Sequence, residues 1–330
     1  MKSINKVTKQ FVIIFLCMAM ALSVTACGKK THISDAYKLN SDVFGLLHGQ
    51  MDETAGSHLM GSSLCVANEN IELSEVDMSL AESAGLFDIT NFETIYAKNI
   101  HQKLYPASTT KILTAYIVLK YGNLEDVVTV RSNHVALESD SSHCGLKAGV
   151  KISVEELLYG LMLKSGNDAA NALADYISGS AESFAELMNE EAKLLGATNS
   201  HFVNAHGLHD DDHYTTVYDL YIIFQNALTN EKFREITGTM THNASYTDAD
   251  GNPITIQWDN TMQYFTKNKI PPEGATVLAG KTGTTSKAQS CLVLLSENQT
   301  GEEFISIILK SQDRGVLYEE MNDLLEEINK

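Results

Sequence analysis

The strand-like segments of this chain stand at its two ends, and the stretch between about residues 112 and 235 carries mostly helical periodicity. Towards the N-terminal end, "SLCVANEN" and "AGLFDITNFETIYAKN" read as strands, the second as a hairpin turning near Asn91. Between them, "IELSEVDMSLAESA" reads as an inserted loop or short helix. Towards the other end come "TVLAGKTGT", "QSCLVLLS" and "EFISIILKS", with "ENQTGE" as a hairpin turn. Backbone N–H and C=O groups of strands must be paired, so the two sets are expected in one sheet assembled across the helical middle. That makes the fold class α+β. A last amphipathic helix, with Leu317, Met321, Leu324, Leu325 and Ile328 on one face, can cover the sheet.

"YPASTTK", residues 105–111, opens the helical middle. Ile112, Leu113, Tyr116, Ile117 and Leu119 recur at helical intervals up to Gly122, a stop signal. Pro106 disfavours helix at Tyr105, so Ser108 falls in the first turn. Residues i and i+3 share a helix face, so Ser108 Oγ and Lys111 Nζ can meet. An amine held in an apolar site loses part of its preference for the charged form and can take a proton from a hydroxyl. The same spacing also describes an N-cap with a snorkelling lysine, and Ser3 with Lys6 repeats it in the leader.

Two further stretches bear on that choice. In "LMLKSGNDAANALADY", Ser153 and Glu156 form a capping box for the preceding helix, whose apolar face holds Leu157, Leu158, Leu161 and Met162. "SGND" then breaks it, and a second helix starts at Asn167 or Asp168. Ser165 and Asn167 therefore sit on a tight turn, either as helix punctuation or projecting into a cleft. In "AGKTGTT" two glycines surround Lys281 and Thr282. Glycine weakens a strand, and has a use there if another backbone must approach. An edge strand at Gly283 could take an extended peptide alongside, with Lys281 and Thr282 meeting a carboxylate.

The order Ser-x-x-Lys, Ser-x-Asn, Lys-Thr-Gly is the motif set of penicillin-binding proteins and β-lactamases. "YPASTTKILTAYIVL", "SGNDAANALADY", "NAHGL" and "GKTGTTSKAQSCLVLLS" resemble the serine D-alanyl-D-alanine carboxypeptidases, from about Gly85 to the C-terminus. The resemblance implies a β-lactamase/transpeptidase-like fold, an antiparallel sheet flanked by helices plus a helical subdomain. It implies removal of the terminal D-alanine from peptidoglycan stem pentapeptides through an acyl-enzyme, with β-lactams as covalent inhibitors and no cofactor or metal. Ser108 would be the nucleophile and Lys111 its base. Ser165 would relay a proton, Asn167 fix the peptide, and Lys281, Thr282, Gly283, Thr284 and Arg314 bind substrate. The backbone N–H groups of Ser108 and Thr284 would form the oxyanion hole. A DD-endopeptidase of cross-links, or a sensor without turnover, would carry the same motifs. A class A β-lactamase would need a Glu-x-x-Leu-Asn loop, which the sequence lacks, and usually has Ser-Asp-Asn where this chain has Ser165-Gly166-Asn167.

"HGLHDDDHYTT" offers a metal alternative, because His209 and His213 are four apart and zinc peptidases reach the same overall reaction. Its run of aspartates reads as a loop, and in the serine family "HGL" is a structural turn. Among the cysteines, Cys65, Cys144 and Cys291 show no C-x-x-C spacing, which points to neither a disulfide framework nor a cysteine zinc site.

The N-terminus reads as a targeting segment. Lys2, Lys6 and Lys9 precede twelve apolar residues, Phe11 to Leu22, too few to span a bilayer at about 20 residues. "VTAC" at Val24 to Cys27 resembles a bacterial lipobox. The expected division is a signal peptide over 1–26, a tether over 27–60 and a catalytic domain over 61–330. Longer carboxypeptidases continue into a β-rich domain and an amphipathic anchor, for which a lipid on Cys27 would substitute. The expected location is the outer face of the bacterial cytoplasmic membrane. The whole chain carries a net charge of −18, and loss of the leader's three lysines makes it more negative still, a balance that repels nucleic acid and anionic headgroups. Attachment should then depend on the thioether alone: a Cys27→Ala variant is expected in the soluble fraction of a cell lysate, and its persistence in washed membranes would contradict this.

Overall fold

The computed structural model describes residues 63–138 and 141–330. The expected signal peptide and the whole expected tether, with Cys27, lie outside them. The sheet expected from the two chain ends forms, with strands β1 (Ala81–Asp88), β2 (Glu93–Lys98), β7 (Thr276–Thr285), β8 (Gln289–Glu297) and β9 (Glu303–Ser311) in the order β2-β1-β9-β8-β7. Every neighbouring pair is antiparallel. β7 is therefore an edge, as its glycines suggested.

The sheet is apolar on both faces, and its period of two sorts the side chains. Leu292 and Leu294 of β8 and Ile308 of β9 face a terminal helix, α7 (Arg314–Glu327), packing with Leu317, Met321, Leu324 and Leu325. Cys291, Val293 and Leu295 of β8, with Ile305, Ile307 and Leu309 of β9, face the helical subdomain. At its centre lies α1 (Lys111–Tyr121), buried at Ile112, Leu113, Thr114, Ala115, Ile117 and Val118. Around it stand α2 (Val154–Leu163), α3 (Asn167–Ser178), α4 (Ala181–Leu195), α5 (Val217–Ala227) and α6 (Glu231–Gly238). No helix among the described residues is long and apolar enough to cross a membrane.

Three expectations need correction. Residues 63–70 are not a strand. Tyr221 Oη accepts from Cys65 N–H at 2.9 Å and Tyr218 Oη donates to Cys65 C=O at 3.0 Å, so tyrosines of α5 satisfy this backbone in place of a neighbouring strand. The helical middle is interrupted by β3 (Val127–Thr129) and β4 (Lys151–Ser153), which join β5 (Thr241–Thr247) and β6 (Pro253–Asp259) in a second sheet of order β3-β4-β5-β6. Asp250-Gly251 at the β5–β6 turn, with Gly251 at φ +88°, was the local signal for that hairpin. The capping box at α2 is half made: Ser153 accepts from Glu156 N–H at 3.2 Å. The Glu156 carboxylate instead meets His242 Nε2 at 2.6 Å and Ser245 N–H at 3.2 Å, tying α2 to β5.

Candidate active site

Ser108 lies in a 3-10 turn, Ala107–Thr110, immediately before α1. In a 3-10 turn residues i and i+3 eclipse, which brings the serine and lysine closer than an α-helical turn does. Lys111 Nζ and Ser108 Oγ stand 3.1 Å apart. The turn is entered through Ala107 at φ +49°, a left-handed conformation rare for a residue with a Cβ. Two glycines make room for it. Gly207 lies under Ala107 so tightly that a Cβ would sit 1.8 Å from the Ala107 carbonyl oxygen, and a Cβ on Gly283 of β7 would sit 3.0 Å from Ser108 N. The Lys-Thr-Gly strand thus needs its glycine because the nucleophile's own backbone presses on it. That contact also sets the Ser108 N–H beside β7, where the sequence had put the oxyanion hole.

Lys111 is fully buried, and its Nζ has three oxygen neighbours. Asn167 Oδ1 accepts at 2.8 Å and the His206 carbonyl at 2.7 Å, with Ser108 Oγ as the third. Neither an amide oxygen nor a carbonyl can donate. If the amine is neutral, its two hydrogens go to those acceptors and its lone pair is left facing the Ser108 hydroxyl. Burial first, then the charge of Lys281, holds the Lys111 pKa well below the ordinary lysine value of 10.5. The shift weakens the ammonium relative to an exposed lysine.

The opposite wall is the Ser165-Gly166-Asn167 turn between α2 and α3. Ser165 takes φ +57°, a second strained backbone at a motif position. Asp168, buried at the start of α3, fixes the turn by accepting from the N–H groups of Cys144, Leu146 and Ala169 at 2.9 to 3.1 Å. Gly166 is needed because a Cβ there would meet Cys144 Sγ at 2.2 Å. Lys281 Nζ reaches across from β7 to donate to Ser165 Oγ at 3.0 Å and to the Thr282 carbonyl at 2.9 Å. Burial, helped by the charge of Arg314, lowers its pKa to about 7.

Between the walls is a cleft of about 750 Å³, lined by Ser108, Ser165, Thr282, Gly283, Thr284, Lys164 and Arg314 among others. Lys164 and Arg314 in the lining, against the acid Asp313, and the buried Lys281 behind Ser165 give the cleft a positive balance on a chain whose net charge is −18. Such a cleft attracts a small carboxylate and offers it hydroxyl donors. Every site residue picked from the sequence within the described region therefore meets at one place. Arg314, the first residue of α7, joins the cleft wall beside Thr282.

The sequence reading missed two contributors. "NAHGL" gave only a turn, yet its His206 carbonyl holds the lysine and its Gly207 supports Ala107. Asp168 was seen only as a helix start. A buried acid one residue after a motif asparagine was the available signal. The histidine run does not converge on a metal site. His213 Nδ1 accepts from Val203 N–H at 3.1 Å, which makes Nε2 the donor to Thr110 Oγ1 at 2.8 Å, so both ring nitrogens are committed. Among the described residues no group of three His, Cys, Asp or Glu is arranged around a common ion position.

Fold and site together bring the Ser-x-x-Lys, Ser-x-Asn and Lys-Thr-Gly elements to the two walls of one cleft. Residues 70–313 match the D-alanyl-D-alanine carboxypeptidase family, and the chain belongs to it. It is 34% identical over 215 residues to D-alanyl-D-alanine carboxypeptidase DacF of Bacillus subtilis (strain 168), an overlap covering 64% of this chain and 53% of that relative. With DacC of Escherichia coli (strain K12) the identity is 32% over 289 residues, covering 85% and 68% of the two chains. This chain thus spans about half the length of the Bacillus relative and two thirds of the Escherichia one. The crystal structure of the Streptomyces K15 DD-transpeptidase superposes with a TM-score of 0.70 at 29% identity, covering 76% of this chain and 97% of that one. Its β-lactamase/transpeptidase-like fold is the one expected from the motifs.

The electrostatics set a direction for pH dependence. If Lys111 is the base for acylation of Ser108, the rate falls as pH drops through the lysine's depressed pKa. Because the Lys281 charge is one cause of that depression, Lys281→Gln is expected to move this acid limb to higher pH. Stopped-flow acylation by a fluorescent penicillin across pH 5 to 10 checks the shift; a limb that stays put or moves down would contradict it.

Proposed function

We propose that this protein is a serine DD-carboxypeptidase that removes the terminal D-alanine from peptidoglycan stem pentapeptides. The observation that carries the reading is Lys111: a buried amine whose two other hydrogen-bond partners are acceptors only, leaving its lone pair for the Ser108 hydroxyl. The Lys111 amine takes the proton as Ser108 Oγ attacks the carbonyl carbon of the penultimate D-alanine. The carbonyl oxygen becomes an oxyanion held by the N–H groups of Ser108 and Thr284, an interaction typically worth about 3 to 4 kcal/mol. The C–N bond then breaks. Ser165, hydrogen-bonded to Lys281, hands its hydroxyl proton to the departing amine and is reprotonated by the proton that Lys111 took from Ser108. Lys111 thus returns to the neutral amine, and D-alanine leaves with its carboxylate released from Lys281, Thr282 and Arg314. Lys111 takes a proton from water as the water oxygen attacks the ester carbon. The bond to Ser108 Oγ breaks, and the proton passes from Lys111 to that oxygen, which frees the shortened peptide and restores the free enzyme.

A β-lactam enters the same path with one difference. Its broken C–N bond lies in a ring, so the amine stays attached and hinders the water. A long-lived acyl-enzyme and slow β-lactam turnover follow.

The location belongs to the same proposal. Three leader lysines, twelve apolar residues and "VTAC" support cleavage before Cys27 and lipid attachment to its thiol. The protein would then be held at the outer face of the cytoplasmic membrane, within reach of nascent wall.

Residues 28–330 are expected to release D-alanine from a stem pentapeptide, to continue in the presence of a chelator, and to lose at least about a thousandfold in rate as Ser108→Ala. Cleavage of cross-linked dimers without release from pentapeptide would make it an endopeptidase, and a stable peptide acyl-enzyme would make it a sensor. Full release from Ser108→Ala would remove the serine mechanism.

A further inference from the structure

A second cavity, of about 360 Å³, opens where the β7–β8 turn meets the segment leading into the nucleophile. Its lining includes Lys103, Lys287, Lys310, Tyr105 and Tyr214, with Asp211 as its acid. Lys103 Nζ lies 4.4 Å above the Tyr214 ring, and Lys310 stands 3.6 Å from Glu82. Lys287 makes no ion pair among the described residues. None of these lysines takes part in the mechanism above.

Position connects this cavity to the catalytic cleft. Thr285 and Ser286 line the cleft, and Lys287, the next residue, lines the cavity. Tyr105 lies three residues before Ser108, and Lys287 three after Thr284. Consecutive Cα atoms are 3.8 Å apart, so the Cα of Tyr105 lies within about 11 Å of that of Ser108, and the Cα of Lys287 within about 11 Å of that of Thr284 on the cleft wall. With the leaving carboxylate at Lys281 and Arg314 and the scissile carbonyl at Ser108, the acyl arm runs along β7 towards Thr285 and the turn. Each extended residue covers about 3.5 Å, so the acylated D-alanine and the two residues beyond it span about 10 Å, a comparable distance.

We propose that this lysine cavity is a subsite for a free carboxylate on the acyl arm of the stem peptide. The inference rests on the carboxypeptidase reading. Stem peptides offer such a group at two places, on a γ-linked D-glutamate and, in some walls, on a diamino diacid at the third position. Both present the same chemistry to a cluster of ammonium groups.

Two matched pairs of pentapeptides test it: D-glutamate against D-isoglutamine at the second position, and diaminopimelate against lysine at the third. The readouts are kcat/KM for D-alanine release and protection of Ser108 from a fluorescent penicillin. Wild type should favour the free carboxylate in at least one pair by about fivefold, the order expected for an exposed ion pair, and less so at high salt. The Lys103→Ala/Lys287→Ala double variant should lose that preference while its penicillin acylation rate stays unchanged. Equal handling of both pairs by wild type, or a preference that survives in the double variant, would overturn the subsite. If no peptide releases D-alanine but the carboxylate form still protects Ser108 selectively, the subsite stands and the carboxypeptidase reading falls.

Discussion

The burial of one amine organises this protein. Lys111 sits fully buried at the start of α1, and an unsolvated ammonium there would be costly. Three separate parts of the chain meet its Nζ: the 3-10 turn before α1, the Asn167 amide from the α2–α3 turn, and the His206 carbonyl from the loop before α5. Each unit by which burial lowers the pKa is about 1.4 kcal/mol of preference for the neutral form. What weakens the ammonium also makes the base, and the strained φ angles at Ala107 and Ser165 are tolerated where that geometry is assembled.

Lys281 complements it. Two lysines share one buried site, and their roles ask for opposite protonation states, neutral for the base and charged for the carboxylate anchor. Arrangement separates them. Lys111 Nζ meets only neutral oxygens and feels the Lys281 charge, whereas Lys281 is buried behind Ser165 and Thr282 of the cleft wall, where a substrate carboxylate would supply the counter-charge. Carboxylate binding should therefore hold the proton on Lys281.

Much of this was legible in the sequence because the site is made of local pieces. Ser108 with Lys111, Ser165 with Asn167, and Lys281 through Thr284 each fall within one turn or one strand, and the α+β class followed from strands at both ends of the chain. What failed depended on distant partners. Residues 63–70 look like a strand, but tyrosines from α5 take their hydrogen bonds. Glu156 has the spacing of a capping box, yet His242 claims its carboxylate. The His206 contribution is a backbone carbonyl, which no side-chain pattern can announce. The reason for Gly283 became visible only when Ser108 N was found against it.

The central claim is that Lys111 is an amine in the resting protein, and its ionisation can be read directly. Heteronuclear NMR of protein carrying 15N at lysine Nζ, assigned through Lys111→Met, would follow that nitrogen across pH. The account predicts that Lys111 titrates well below the exposed lysines and is neutral at pH 8. An Nζ that stays an ammonium through pH 9 in the free protein would contradict it and return the role of base to another group.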